Sequence, residues 1–184
     1  TCAVAGQPLI VTLAAALAVG ILCGLWNGIL VAYLGIQPFV ATLVLMVAGR
    51  GVAQLITEGS IVTFSGPALI FVGTGSFFGL PMPAVIAIVL MIVAHLFMRR
   101  TAIGLFIEAI GINLSAANYT GLRSKVLILC IYAFGGFCAA MAGIIAAADI
   151  RGADANNAGL WLELDAILAV VIGGTSLLGG RFSI

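Results

Sequence analysis

From Leu9 to Leu34 the chain carries no charged side chain, over a length that crosses a hydrocarbon core of about 30 Å at about 1.5 Å per residue. This run is expected to be one spanning helix. The break Gly35-Ile36-Gln37-Pro38 sets a glycine where a helix can end and a proline where the next can start, so a second span is expected over 38–57. From Glu58 to Met82 the glycines Gly59, Gly66, Gly73, Gly75 and Gly79 come too close together for a stable helix, which predicts an extramembrane loop. A third apolar run, 83–98, stops at Arg99-Arg100, and a fourth, 126–148, begins just after Arg123 and Lys125. A fifth, 166–180, is interrupted by Gly173-Gly174 and Gly179-Gly180 and is either a plain span or a broken, re-entrant helix. The pattern as a whole predicts an all-α, polytopic transmembrane helical bundle forming a single domain over residues 1–184.

The charges orient it. Arg99, Arg100, Arg123 and Lys125 cluster between the third and fourth runs with only Glu108 against them, which places the 99–125 loop in the cytoplasm. The 58–82 loop and the 149–165 loop then face the other side, and the latter carries Asp149, Asp154, Glu163 and Asp165 against one Arg151.

Composition agrees with that reading. A chain of 184 residues that is 64% hydrophobic and 7% charged has too little polar surface to cover a soluble globule, so lipid is its expected solvent. A net charge of +1 supplies no field for nucleic acid. The sequence opens without Met or a basic leader and closes inside a glycine-rich run, and the expectation is a piece truncated at both ends. In lipid, helices associate through close backbone approach, so Gly20, Gly24 and Gly28, repeating every four residues, are expected to form a packing face on the first helix. Gly136, Ala140 with Ala139, Gly143 and Ala147 would do the same on the fourth. Cys23, Cys130 and Cys138 lie in apolar runs and Cys2 stands alone, without metal-ligand spacing, so all four read as small packing residues.

Few residues suggest covalent chemistry. There is no phosphate-binding Gly-x-x-x-x-Gly-Lys motif, and His95 is the single histidine, so no nucleophilic triad or metal site can be assembled. No cofactor and no catalytic residue is expected. Asn113-Leu114-Ser115 and Asn118-Tyr119-Thr120 match glycosylation sequons, but they fall in the loop expected in the cytoplasm.

Within that loop, residues 113–121 read as a short helix, with Ala116 and Ala117 as helix formers and Gly121 as its C-terminal stop. Two alanines, three spacers and a glycine in a cytoplasmic loop between spans resemble the coupling motif of bacterial ABC importer permeases. Ser115 stands where many such motifs carry an acidic residue. The similarity extends to the ribose-type branch of sugar permeases through the runs at 35–43, 109–113 and 163–176, and the run from Ala147 to Glu163 resembles the membrane subunits of galactofuranose importers.

The resemblance implies a conduit in the bacterial inner membrane. Asn113, Ala116, Ala117 and Gly121 would dock cytoplasmic ATPase subunits, a periplasmic sugar-binding protein would deliver substrate, and a second permease copy would complete the pathway within the membrane lipid. Arg50, about 10 Å from the outer end of the second span, either snorkels or pairs with a neighbouring helix, or else lines the path. Glu163 and Asp165 are path candidates as well, although a carboxylate at a helix start is favoured by the helix dipole alone. A secondary transporter would need coupling-ion carboxylates within the spans, and an intramembrane enzyme an acid–base pair at membrane depth. Neither pattern is visible.

Overall fold

The computed structural model describes residues 9–64, 67–77, 79–113, 117, 119 and 121–173. Its elements are α1 (Leu9–Ala32), α2 (Pro38–Thr57), β1 (Val62–Thr63), α3 (Pro67–Thr74), β2 (Ser76–Phe77), β3 (Leu80–Pro81), α4 (Met82–Arg100), α5 (Ala102–Ile112), α6 (Ser124–Asp149), β4 (Gly152–Ala153) and α7 (Leu162–Ile172). The architecture is all-α, since the strands are two-residue bridges.

Among the described residues four helices, α1, α2, α4 and α6, are long and apolar enough to cross a membrane. They cover the first four runs expected from the sequence. Side chains such as Leu55, 81% exposed, and Val47, 67% exposed, stand outward on α2. Hydrocarbon, not water, is the solvent that such a surface fits.

Two stretches differ from the sequence reading. The 58–82 loop contains α3, whose Gly73 packs so closely on α6 that an added Cβ would lie 2.5 Å from the carbonyl carbon of Ala148 and the amide nitrogen of Asp149. There, glycine serves backbone contact rather than breaking the helix. The 99–125 stretch contains α5, an apolar helix of 11 residues and thus roughly 16 Å long, too short to cross a bilayer core. Reading that stretch by its flanking charges hid α5. The last helix, α7, starts at Leu162, four residues ahead of the expected 166, and residues 174–180 of that expected span lie outside the described residues.

The chain divides into two compact units, one of Thr1–Ile88 with Leu129–Ala158 and one of Val89–Ile128 with Gly159–Ile184. In the first, α1 and α2 form a hairpin. Pro38 occupies the start of α2, where its missing N–H costs nothing, and Gly35 turns the chain at φ +68°. Strands β1 and β4 pair antiparallel, Val62 with Ala153 and Thr63 with Gly152. In the second unit, α5 folds against the end of α4. A Cβ at Gly104 would run into the Met98 carbonyl, so only glycine admits that turn.

Candidate functional site

In the first unit, the glycine face of α1 lies on α6. An added Cβ at Gly20 would sit 2.5 Å from the Ala140 Cβ, one at Gly24 would strike the Tyr132 carbonyl oxygen, and one at Gly28 would lie 3.2 Å from the Leu129 Cα. Gly136 answers from α6 by lying against Gly20 and Gly24. Gly143, assigned to the same face of α6 from sequence, has no heavy atom of the described residues within 4 Å of an added Cβ.

Beside this contact α1, α2 and α6 enclose an open cleft of about 400 Å³, walled largely by backbone and small side chains. Its polar members are Asn27, Thr42 and Tyr132, with Cys23 on the α1 side. Asn27 is 8% exposed, and its Oδ1 is buried without a hydrogen-bond donor among the described residues. The Thr42 hydroxyl lies 3.1 Å from the Pro38 carbonyl and 3.0 Å from that of Phe39, so its hydrogen is directed back to the helix. No charged side chain belongs to the wall among the described residues. Arg50 stands apart from it, eight residues beyond Thr42 on α2 and half-buried. Sequence reasoning passed over Asn27, although an amide in an otherwise almost wholly apolar span is a signal for function.

The other unit holds the chain reversal expected to couple. Asn113, in extended conformation, closes α5 by donating to the Ala109 carbonyl, and its own carbonyl accepts from the Ala117 N–H at 3.0 Å. Ala117 is buried and Tyr119 is fully exposed, both in helical conformation. The Leu122 N–H then reaches back to the Ala117 carbonyl at 3.3 Å across Gly121, whose φ is +82°. This six-to-one closure around a left-handed residue is a Schellman stop. One backbone bond thus joins Asn113 to Ala117 and the Schellman closure joins Ala117 to the residue after Gly121, while Ala116 lies outside the described residues. In the same unit Glu163 and Asp165 share the first turn of α7, Glu163 half-buried and Asp165 exposed.

A third feature escaped sequence reasoning. Asn156 accepts from the Gln54 amide at 2.8 Å and donates to the Gly59 carbonyl at 3.0 Å, tying the end of α2 to the segment after α6. Asp154 braces that segment by accepting from the backbone N–H groups of Asn156 and Asn157 and from the Asn157 amide. These bonds, the one from the Asn157 side chain foremost, hold the Asp154 carboxyl below the usual aspartate range.

Residues 1–182 match the family described as branched-chain amino acid transport system / permease component. The chain is 64% identical over 181 residues to the galactofuranose transporter permease protein YtfT of Escherichia coli (strain K12), covering 98% of this chain and 53% of that protein. It is 47% identical over 173 residues to the fructose import permease protein FruF of Bifidobacterium longum (strain NCC 2705), covering 92% and 49%. It is 38% identical over 178 residues to the ribose import permease protein RbsC of Haemophilus influenzae, covering 95% and 55%. The chain therefore spans about half the length of the curated relatives it matches, and no solved structure matches it. Four apolar helices of spanning length and a match over nearly every residue lead to one assignment: this is a multi-pass membrane protein that belongs to the family of branched-chain amino acid transport system permease components.

Proposed function

We propose that the chain is part of the membrane-spanning subunit of an ATP-driven importer that carries a monosaccharide, of the galactofuranose or ribose kind, across the bacterial inner membrane. The observation that carries this reading is the 64% identity to a galactofuranose transporter permease over 98% of the chain. The family's description names branched-chain amino acids instead, and the chemistry of the cleft favours sugar. A zwitterion would leave an ammonium and a carboxylate unpaired against a wall without charged side chains, whereas a neutral polyol has no charge to desolvate.

Transport is conformational, with no covalent step assigned to the chain. Two cytoplasmic ATPases engage the Asn113–Gly121 turns of two permease copies, and their ATP-driven closure moves the helices between outward- and inward-open arrangements. A periplasmic binding protein delivers the sugar to the outer loops. The turn suits this role because its Schellman closure keeps Ala117 and Gly121 in fixed relation while Tyr119 stands free. The pairing of β1 with β4 supports the topology, since it joins the two loops expected on the outer side.

The test is uptake of labelled galactose, fructose and ribose by proteoliposomes carrying the full permease with its co-purified ATPase and binding protein. Uptake of at least one sugar that requires ATP is the expected result. Uptake of leucine or valine, with none of the sugars, would overturn the reading.

A further inference from the structure

We propose that Asn27 is where the α1–α2–α6 cleft takes hold of a passing substrate, its amide oxygen accepting a hydrogen bond from a hydroxyl of a neutral polyol. The inference rests on the sugar-permease reading and assigns that reading a residue.

Three observations converge on it. Asn27 is more than nine-tenths buried in a helix otherwise almost wholly apolar, and its Oδ1 has no donor among the described residues. A buried acceptor without a donor is unfavourable and uncommon in native structures, so its retention at membrane depth points to a donor that arrives from elsewhere. Asn27 also borders a cleft of about 400 Å³, within the range of roughly 300–1,000 Å³ typical of small-molecule pockets. Oδ1 is itself almost wholly covered, so to accept from a substrate the side chain must rotate and bring it to that space.

The remainder of the wall fits weak, transient recognition. Since the Thr42 hydrogen is directed to helix carbonyls, the lone pairs of its oxygen remain as a second acceptor, and the glycines around it offer no side chain to grip. Two neutral acceptors in an apolar passage suit a ligand rich in hydroxyl donors. They would hold it weakly enough to let it leave, as a translocation path requires. Asn27 lies five residues before Ala32, about 8 Å from that end of α1, and Gly20 and Ala140 carry the cleft deeper along the helices.

Asn27→Leu and Gly135→Leu test the idea in the complete transporter reconstituted with its ATPase and binding protein. Gly135 borders the cleft, and no described residue lies within 4 Å of an added Cβ there, so leucine adds bulk beside the cleft at a position that is not part of the close α1–α6 contact. Asn27→Leu should leave thermal unfolding of the purified permease unchanged or raised. It should also slow uptake roughly 3- to 10-fold, the worth of one neutral hydrogen bond. The loss should differ among labelled galactose, fructose and ribose, because they present their hydroxyls differently. Gly135→Leu should slow uptake at unchanged stability. Wild-type uptake in either variant overturns the proposal, as does a destabilised Asn27→Leu, which would mean that Oδ1 serves a structural bond. Equal slowing of all three sugars overturns it too, because it removes the hydroxyl contact. A wild-type transporter that takes up none of the three sugars defeats the sugar reading itself, a result distinct from these.

Discussion

Replacing Gly24 by alanine adds one methyl group at one of the tightest points of the α1–α6 contact. Its Cβ would strike the Tyr132 carbonyl oxygen and lie 3.1 Å from the Gly136 Cα, and both are backbone atoms that no rotamer change moves aside. At Gly20 the same addition leaves 2.5 Å to the Ala140 Cβ. Restoring an ordinary carbon–carbon distance of about 3.5 Å therefore parts the helices by roughly 1 Å, a gap that forfeits a quarter to a half of the dispersion well for every atom pair along the seam. Overpacking of this kind costs about 1–3 kcal/mol, so the folded-to-unfolded ratio should fall roughly 5- to 150-fold. Gly143→Ala is the control on α6, since no described residue lies within 4 Å of its added Cβ. Thermal stability of the permease in nanodiscs, followed by size-exclusion fluorescence, compares the two. Equal stability of Gly24→Ala and Gly143→Ala would refute the claim that this seam depends on the absence of a side chain. Because Gly20, Gly24 and Gly136 share one contact, the double variant Gly20→Ala/Gly24→Ala should lose less than the sum of the single variants.

Gly121→Val forces a β-branched residue to φ +82°, so it should leave membrane insertion intact and abolish ATP-driven sugar uptake at matched permease levels; wild-type uptake would remove the coupling assignment. In a background freed of native cysteines, Ser60→Cys and Arg123→Cys should be labelled by an impermeant reagent from opposite sides of the membrane, and labelling of both from one side would sink the topology. The Asp154 carboxyl is held low in the folded chain, so its bonds to Asn156 and Asn157 are present above the unfolded carboxyl value and are lost as pH falls through the lower, folded one. Amide shifts of Asn156 and Asn157 should accordingly titrate with a midpoint below that of a free aspartate, and an ordinary midpoint would contradict the brace.

Hydropathy and charge located the four long helices because both are properties of a stretch taken alone. An uncharged run bounded by Pro38 or by Arg99-Arg100 needs no knowledge of its neighbours to be recognised. What the sequence did not reveal depends on pairs. Gly73 has the spacing of a helix breaker, and only its contact with Ala148 and Asp149 gives it a packing role, while α5 lies among basic flanks although Glu108 is the one charged residue of its own. The Asn156 tie joins residues about a hundred positions apart, beyond the reach of any local pattern. Asn27 and Gly135 likewise acquire meaning only beside the open space they border.

The described residues use glycine in three physically separate ways, and a substitution tells them apart. At Gly24 the side chain is absent so that two backbones can meet. At Gly121 no described residue lies within 4 Å of an added Cβ, but the left-handed backbone disfavours a side chain conformationally. At Gly135 neither constraint applies, since φ is not positive and no described residue lies within 4 Å of an added Cβ, so on the proposal for the cleft the absent side chain keeps the passage wide. Alanine should therefore destabilise at Gly24 and strain the turn at Gly121, while at Gly135 it is expected to be tolerated in stability. Bulk at Gly135 that impairs transport alone would separate a residue kept for passage from residues kept for the fold.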